Sequence, residues 1–296
     1  LIAGIIGVVY GTKASIGATQ SLLFAMLVMV AGLALLVLFA RQQLRSATPM
    51  LDLSLFAHPA LLGGMIMALV TIGALAGVEL TLAMELQYVL DKTPLQAGIF
   101  LIPIMAAAAL GGPVAGYLSN RFGLRGVASL SLATSAGALG LRAFAYFNAA
   151  GIAVPAMLAV LGLALSIGLT ASSIAIMGSV DASKGGAAGS LEATAYELGT
   201  GLGITVFGVF MSKVFGSTLS LPAELAPALA ERAARSIGDS YVVAGELPAA
   251  QGNALIEAAK LAFSSTHSVL LTTSAVVIAL LAVVVFVLFG RQRQQI

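Results

Sequence analysis

The sequence predicts an all-α polytopic membrane protein, and its composition, charge spacing and glycine spacing all favour this class. Of the 296 residues, 59% are hydrophobic and only 9% are charged, whereas a soluble domain carries about 25% charged residues. The mean hydropathy is +1.05. A chain with so few polar side chains cannot cover a water-soluble globule, so we expect its apolar residues to face lipid.

The same composition excludes several functional classes. The formal net charge of +2 is too small to indicate a nucleic-acid partner, and there are no cysteines for disulfides or thiolate chemistry. His58 and His267 are isolated and give no metal-ligand spacing. Gly185 and Gly186 follow Lys184, but the rest of a phosphate-binding loop is missing. The sequence therefore predicts neither an enzyme nor a metal or cofactor site.

Charge-free windows place the spans, because about 20 apolar residues cross a bilayer. Leu1–Gly11 is too short to cross alone and lacks the basic region of a signal peptide. We expect it to be the tail of a helix that begins upstream, and the chain to be the C-terminal part of a longer protein. Seven complete spans follow, at about 17–40, 59–89, 99–119, 127–147, 156–177, 185–211 and 267–290.

Glycines that recur four positions apart predict close helix contacts, since small residues let helix backbones approach each other in lipid. The alternative is that they only reflect a Gly-rich membrane composition. The pairs are Gly7/Gly11, Gly73/Gly77, Gly112/Gly116, Gly185/Gly189 and Gly199/Gly203.

Basic residues in the short loops indicate the orientation, because cytoplasmic loops carry an excess of Lys and Arg. By helix parity, Lys13 and Lys92 fall on one side, with Arg142 nearby. The opposite side holds the larger basic set, which places the C-terminus, a 41–58 connector and a 291–296 tail in the cytoplasm. That set is Arg41, Arg45, Arg121, Arg125, Lys184, Arg291 and Arg293.

A long polar interval, 213–266, separates the last two spans and weakens this count, because it adds basic residues to the outside. Pro222–Ile237 and Pro248–Phe263 have helical periodicity, and Gly238–Asp239 interrupts it. We expect an extracytoplasmic helical hairpin on the membrane surface. A solvated linker is the alternative.

The candidate functional centre is the 185–211 helix, because it carries two carboxylates in a membrane-spanning segment. Each charged carboxylate deep in a membrane helix costs about 2.5–3.5 kcal/mol, so such residues usually face a bundle interior or a water-filled cavity. Glu192 and Glu197 are separated by five positions, which places them about 140° apart around the helix. We therefore expect them to face different surroundings.

Glu192 shares its helix face with Tyr196, Gly199 and Gly203, which predicts a substrate cavity. Burial favours the protonated form of a carboxyl group and a bound cation favours the ionised form. This competition predicts that Glu192 exchanges a proton for an organic cation, with a cation–π contact from Tyr196. The alternatives are that the acids are structural and that Tyr196 only packs.

Three other charged residues fall within the predicted spans. Glu79 is deep enough to be a third coupling acid, unless the outer half of its helix is wet. Glu85 is expected at the interface, where water solvates it. Arg142 is expected either to extend outward past Tyr146 or to pair with one of these two carboxylates.

The segment GYLSNRFGLR, Gly116–Arg125, resembles the cytoplasmic-loop signature of the major facilitator superfamily, roughly G-x-L-x-D-R-x-G-R. Asn120 stands where that signature has Asp, and Leu124 precedes the last arginine. Three further segments look like the fourteen-helix branch of drug:proton antiporters. They are PMLDLSLF at Pro49–Phe56, TPLQAGIFLIP at Thr93–Pro103 and ATAYELG at Ala193–Gly199.

This resemblance extends over essentially the whole chain and implies a major-facilitator-type helix bundle. Residues 1–40 would hold a partial first helix and a second extra central helix, and 59–290 the C-terminal six-helix half. It implies a proton-coupled multidrug exporter of lipophilic organic cations, such as quaternary ammonium biocides, in a bacterial cytoplasmic (inner) membrane. The transporter would work by alternating access, as a monomer when full length, with the proton gradient and no cofactor.

The resemblance also assigns roles to individual residues. It supports Glu192 and Glu197 as functional acids, and it implies a cytoplasmic gating motif formed by Gly116, Asn120, Arg121, Gly123 and Arg125. Plain cytoplasmic anchoring is the alternative for the two arginines. For the whole chain, the alternatives are an exporter of a siderophore, metabolite or lipid, and a non-transporting membrane scaffold.

Overall fold

The computed structural model describes residues 2–17, 22–45, 56, 58–144, 152–222 and 225–290. Within these ranges the chain forms ten α-helices and no strand. Most of the predicted connector, Tyr146 and the 291–296 tail lie outside the described residues. The helices are α1 Ile2–Gly17, α2 Leu22–Arg45, α3 Pro59–Met84, α4 Pro94–Phe122, α5 Leu124–Phe144, α6 Ala153–Met177, α7 Gly185–Thr218, α8 Pro227–Ala233, α9 Ile237–Gly245 and α10 Ala249–Gly290.

Seven helices in the described part of the chain are long and apolar enough to cross a membrane. They coincide with the seven predicted complete spans, so the predicted all-α polytopic class is confirmed. Two helices extend furthest beyond their predicted apolar windows, since α7 continues to Thr218 and α10 begins at Ala249. A helix ends where its backbone hydrogen bonding ends, and this point need not coincide with the membrane surface.

Local sequence signals explain where α4 begins and ends. Thr93 accepts a hydrogen bond from the Gln96 backbone N–H at 3.3 Å, and its own N–H donates to Gln96 Oε1 at 3.1 Å. This capping box and Pro94 at the first helical position both favour a helix start. Gly123 ends α4 with φ = +82°, a conformation that glycine adopts without strain, and α5 follows at once.

The centre of the bundle is α3, which packs against α6, α7 and α10. At the α3–α7 crossing, a Cβ atom built on Gly73 would lie 2.8 Å from the Gly199 carbonyl oxygen. The predicted close contact through Gly73, Gly199 and Gly203 is therefore present. Gly116 and Gly185 have open space beside them, so four-residue spacing alone does not identify a contact.

The interval 213–266 is helical, but it is not the predicted hairpin of two helices. The described part of the first stretch holds only α8 as a complete helix, because the helix stops near Ala234. Ser236 then caps α9 by accepting from the Asp239 N–H at 3.1 Å. Gly238 and Asp239 therefore lie in the first turn of α9 and do not interrupt a helix. The second predicted stretch is the first part of α10 and is continuous with the last span.

We name α8, α9 and residues 249–263 of α10 the outer module. Its interior is apolar, with Phe215 of α7 meeting Phe263 edge-on at a ring separation of 6.4 Å. Arg232 donates two hydrogen bonds to the Glu246 carboxylate, at 3.1 and 2.7 Å, and these raise the pKa of Arg232 above its ordinary value. The outer module is thus a folded element, which a solvated linker would not be.

The outer module contacts the segment directly after α3, where Glu85–Val89 form a π-helical turn. Tyr241 Oη donates to the Tyr88 backbone carbonyl at 2.6 Å, and Lys260 Nζ lies 2.6 Å from Asp91 Oδ2. We call this end of the bundle the outer end, after the orientation that the basic loops predict. The turn at Gly123 and the C-terminus of α10 lie at the other end, where Arg125 meets Phe286.

Candidate functional site

Glu192 and Tyr196 form a hydrogen-bonded pair on α7. The two residues are one helical turn apart, so their side chains lie on the same face. Tyr196 Oη lies 2.8 Å from Glu192 Oε1 and donates to it. Glu192 is only 8% exposed, so the phenol hydroxyl supplies a polar partner to a carboxyl group that water hardly reaches.

Helix α6 completes the surroundings of this pair. Tyr196 Oη also lies 3.5 Å from the Leu169 carbonyl oxygen, and it interacts with the Ser172 hydroxyl. Ser172 is fully buried and donates to the same Leu169 carbonyl at 2.6 Å. The site thus consists of a carboxyl group, a phenol and a hydroxyl at the α6–α7 contact. Such a set can hold a proton or a cationic group.

Gly199 and Gly203 lie on the same face of α7 as Glu192, but they pack closely against α3. A Cβ atom on Gly199 would lie 2.5 Å from the Leu69 carbonyl oxygen, and one on Gly203 would lie 2.5 Å from Gly73 Cα. The same two glycines also line an apolar groove of about 370 Å³ between α3, α7 and α10, together with the rings of Phe207 and Phe210. Their predicted role in a substrate cavity remains a prediction.

The other two predicted coupling acids are not part of this pair. Glu197 is exposed on α7, as its predicted offset from Glu192 requires. Glu79 is half-buried on α3. Gly77 packs against Phe207, which places Glu79 near the level of residue 209 on α7. This is about 25 Å along the helix axis from Glu192, so the structure does not bring the two carboxyl groups together.

The predicted gating motif lies at the α4–α5 turn. Arg125 Nε donates to the Phe286 carbonyl oxygen at 2.8 Å, and the guanidinium lies 3.6 Å from the centre of the Phe286 ring. A Cβ atom on Gly290 would lie 2.7 Å from Arg125 Cζ, so this glycine leaves room for the guanidinium. Arg125 therefore connects the start of α5 to the last turns of α10.

Among the described residues, the other members of the motif show no contact with a second helix. Arg121 donates to Tyr117 Oη at 3.0 Å and lies over the Phe122 ring, both on its own helix. Asn120 is exposed, and Gly116 has open space beside it. Sequence reasoning found the arginines but missed Phe286 and Gly290, because a partner so distant in the chain has no local signal.

Replacing Arg125 with Ala is expected to lower the stability of the bundle by about 1–2 kcal/mol, from one lost hydrogen bond and one lost cation–π contact between helices. Arg121→Ala is the matched control, since its contacts stay within α4 and should cost much less. Thermal unfolding of the purified protein in detergent measures both. Equal midpoints for the two variants would contradict the inter-helix role of Arg125.

Glu85 is the main correction to the sequence interpretation. It was expected in water at the interface, but it is 3% exposed and accepts a hydrogen bond from Ser264 Oγ at 2.7 Å. Arg142 is 5% exposed and interacts electrostatically with Glu85, which supports the pairing alternative for this arginine. The sequence offered no signal for this burial, because Ser264 is 179 positions away.

Taken together, the spans and the buried polar pair define a multi-pass α-helical membrane protein. In the described part of the chain, no group of three or more His, Cys, Asp or Glu residues could hold a metal ion. No family model matches the sequence. Comparison of the sequence with individual known proteins nevertheless finds several relatives of one kind.

The chain is 40% identical over 283 residues to the methyl viologen resistance protein SmvA of Salmonella typhimurium, which is 96% of this chain and 57% of that protein. It is 33% identical over 255 residues to the multidrug efflux pump LfrA of Mycolicibacterium smegmatis, covering 86% of this chain and 50% of the pump. A tetracenomycin C resistance and export protein of Streptomyces glaucescens is 26% identical over 265 residues, with 86% and 48% covered.

The relatives of this chain are thus multidrug efflux and resistance proteins. The chain spans about half the length of the curated relatives it matches. The similarity extends along almost all of the chain and includes both the Glu192–Tyr196 pair and the α4–α5 turn within the matched length.

Proposed function

We propose that this chain belongs to a proton-coupled multidrug efflux transporter of the major facilitator superfamily, in its fourteen-helix drug:proton antiporter branch. The substrates proposed are lipophilic organic cations, such as quaternary ammonium biocides, exported by alternating access. The energy source is the proton gradient, without a cofactor. The names of the relatives support drug efflux in general, and the finer assignment depends on the buried carboxyl group.

The observation that carries the proposal is Glu192, buried in a membrane-spanning helix and bonded to Tyr196. An ionisable residue inside the membrane is costly and usually marks an ion or substrate pathway. In the proposed exchange, an entering cation takes the place of a proton at Glu192, and the Tyr196 ring can contact the cation through its π face. One charge thus replaces another, as an antiporter requires.

Glu79 and Glu197 are proposed to be secondary acids at other levels or faces of the pathway, since neither lies beside Glu192. Arg121 and Arg125 are proposed to form a cytoplasmic gate, with Arg125 linking α5 to α10. With this assignment, we propose a cytoplasmic C-terminus and a location in a bacterial inner membrane. The proposed partners are lipid, protons and organic cations, and the full-length protein is proposed to be a monomer.

A second candidate function is export of an uncharged or differently charged compound, such as a siderophore, metabolite or lipid. The groove beside Gly199 and Gly203 favours it, because the residues around this groove are almost entirely apolar. A neutral lipophilic compound would fit there without a charge partner. A scaffold without transport activity is the weakest candidate, because it gives no reason for a buried carboxyl group in a span.

Inverted membrane vesicles from cells that express the intact protein distinguish these candidates. We expect an imposed pH gradient, acidic inside, to drive accumulation of a fluorescent lipophilic cation, and a protonophore to collapse it. Vesicles without the protein are the control. Accumulation of a neutral dye but not the cation would favour the second candidate, and accumulation of neither would contradict the transporter proposal.

A further inference from the structure

A second buried polar cluster lies at the outer end of the bundle, far from Glu192. We call Glu85, Arg142, Ser264 and His267 the outer cluster. Glu85, Arg142 and His267 are 3%, 5% and 4% exposed. They come from three different elements, the π-helical turn after α3, α5 and α10. Ionisable residues this well buried in membrane-spanning helices require a reason, because each is costly to remove from water.

The contacts within the outer cluster are arranged around Glu85. Ser264 Oγ donates to Glu85 Oε1 at 2.7 Å. Arg142 interacts electrostatically with Glu85 and with His267. Among the described residues, none donates a hydrogen bond to the other carboxylate oxygen, Glu85 Oε2, although this atom is fully buried. Oε2 accepts no hydrogen bond from the residues that the structure describes, so it is the carboxylate oxygen that is open to a proton.

Glu85 also opens the π-helical turn Glu85–Val89. Such turns are rare and are frequently found at functional sites. The next residues carry the contacts to the outer module, namely the Tyr88 carbonyl with Tyr241 and Asp91 with Lys260. Asp91 is exposed and has φ = +50°. The cluster therefore lies within two turns of water at the outer end.

The charged and titratable groups near Glu85 can be named for each element that packs against it. The π-helical turn contributes Tyr88, α5 contributes Arg142, and α9 contributes Tyr241. On α10, His267 and Lys260 lie on either side of Ser264. Helix α3 adds Glu79, about 120° away around the helix, and the charged residue of α4 is Arg121 at the opposite end. Arg142 is thus the cation that Glu85 meets inside the bundle.

We propose that Glu85 is a proton-binding site at the outer end, separate from the Glu192–Tyr196 pair. A proton from water at that end adds to Glu85 Oε2, forming one O–H bond, and the carboxylate changes from −1 to neutral. Arg142 keeps its proton and its charge, and no electrons are transferred. The electrostatic attraction between Glu85 and Arg142 is lost, so the π-helical turn and its contacts with the outer module respond to the proton.

Infrared spectroscopy of the reconstituted intact protein tests this site without requiring transport. Lowering the pH should add the carbonyl stretching band of a protonated carboxyl group, and Glu85→Gln should lose a defined component of that band. Glutamine keeps the volume of the side chain and an oxygen acceptor for Ser264. Glu257→Gln, at an exposed position of α10, is the matched control and should keep this component.

Arg142→Gln is the second variant. It removes the positive charge that favours the ionised carboxylate, so the Glu85 component should become stronger at neutral pH. If the Glu85→Gln spectrum superimposes on the wild-type spectrum at every pH, Glu85 stays in a permanent ion pair and the proposal is wrong. Loss of histidine ring bands instead, with Glu85 silent, would also overturn it. Neither result depends on Glu192 or on drug transport.

Discussion

Glu192→Gln is expected to abolish proton-driven efflux while leaving membrane insertion and folding intact. Glutamine matches the shape of the side chain and can still accept the hydrogen bond from Tyr196, but it can neither release a proton nor carry a negative charge. A cation entering the site then loses a desolvated charge partner, which costs about 2 kcal/mol or more. This corresponds to roughly a thirtyfold weaker Kd.

Two measurements separate coupling from simple binding. Transport is followed in inverted vesicles with an imposed pH gradient, and proton release is followed in weakly buffered detergent solution when a cation is added. Wild-type protein should release protons on binding and Glu192→Gln should not. Glu257→Gln, the same change at an exposed position, should behave like wild type. Full proton release from Glu192→Gln would rule out this carboxyl group as the coupling site.

The positions of the spans could be predicted from the sequence because the bilayer sets their length. Between Lys13 and Arg41, for instance, no charge occurs, and a long apolar run of this kind is typical of a membrane helix. The pairing of Glu192 with Tyr196 could also be predicted, since residues one turn apart share a helix face. Both inferences use short-range periodicity, which a single sequence contains.

Features that depend on partners distant in the chain could not be predicted. The burial of Glu85 requires Ser264 and Arg142, and the anchoring of Arg125 requires Phe286. In the same way, α10 was expected to begin near His267, because the apolar window begins there. Its first part is instead amphipathic, with Leu255, Ala259 and Ala262 buried against the outer module, so the helix continues beyond the membrane.

The separation of Glu79 from Glu192 changes the predicted mechanism. Glu79 was predicted as a third coupling acid, but at a distance of about 25 Å along the axis one cation cannot contact Glu79 and Glu192 together. The two buried carboxyl sites lie near opposite ends of the bundle, Glu192 two turns after the start of α7 and Glu85 directly after α3. Two such sites suit a protein whose ends open alternately.

Gly203→Ala is expected to destabilise the bundle by about 1–3 kcal/mol, the usual cost of inserting a group into a packed interior. The added Cβ would lie 2.5 Å from Gly73 Cα and 2.7 Å from Gly73 C. Both neighbours are backbone atoms, which cannot turn away as a flexible side chain can, so α3 and α7 must separate. In lipid, close backbone approach is a main source of helix association. Separating α3 from α7 should therefore weaken the whole contact between these two helices.

Gly201→Ala is a matched control, because it lies two positions away on the same helix and a Cβ there meets no atom within 4 Å. Thermal unfolding in detergent should show a lower midpoint for Gly203→Ala only. Binding of the cation then distinguishes packing from cavity lining. If Gly203 only packs, binding to the folded fraction keeps its affinity, and if it also lines the cavity, the affinity falls. Equal stability of the two variants would mean that the α3–α7 contact does not depend on this glycine.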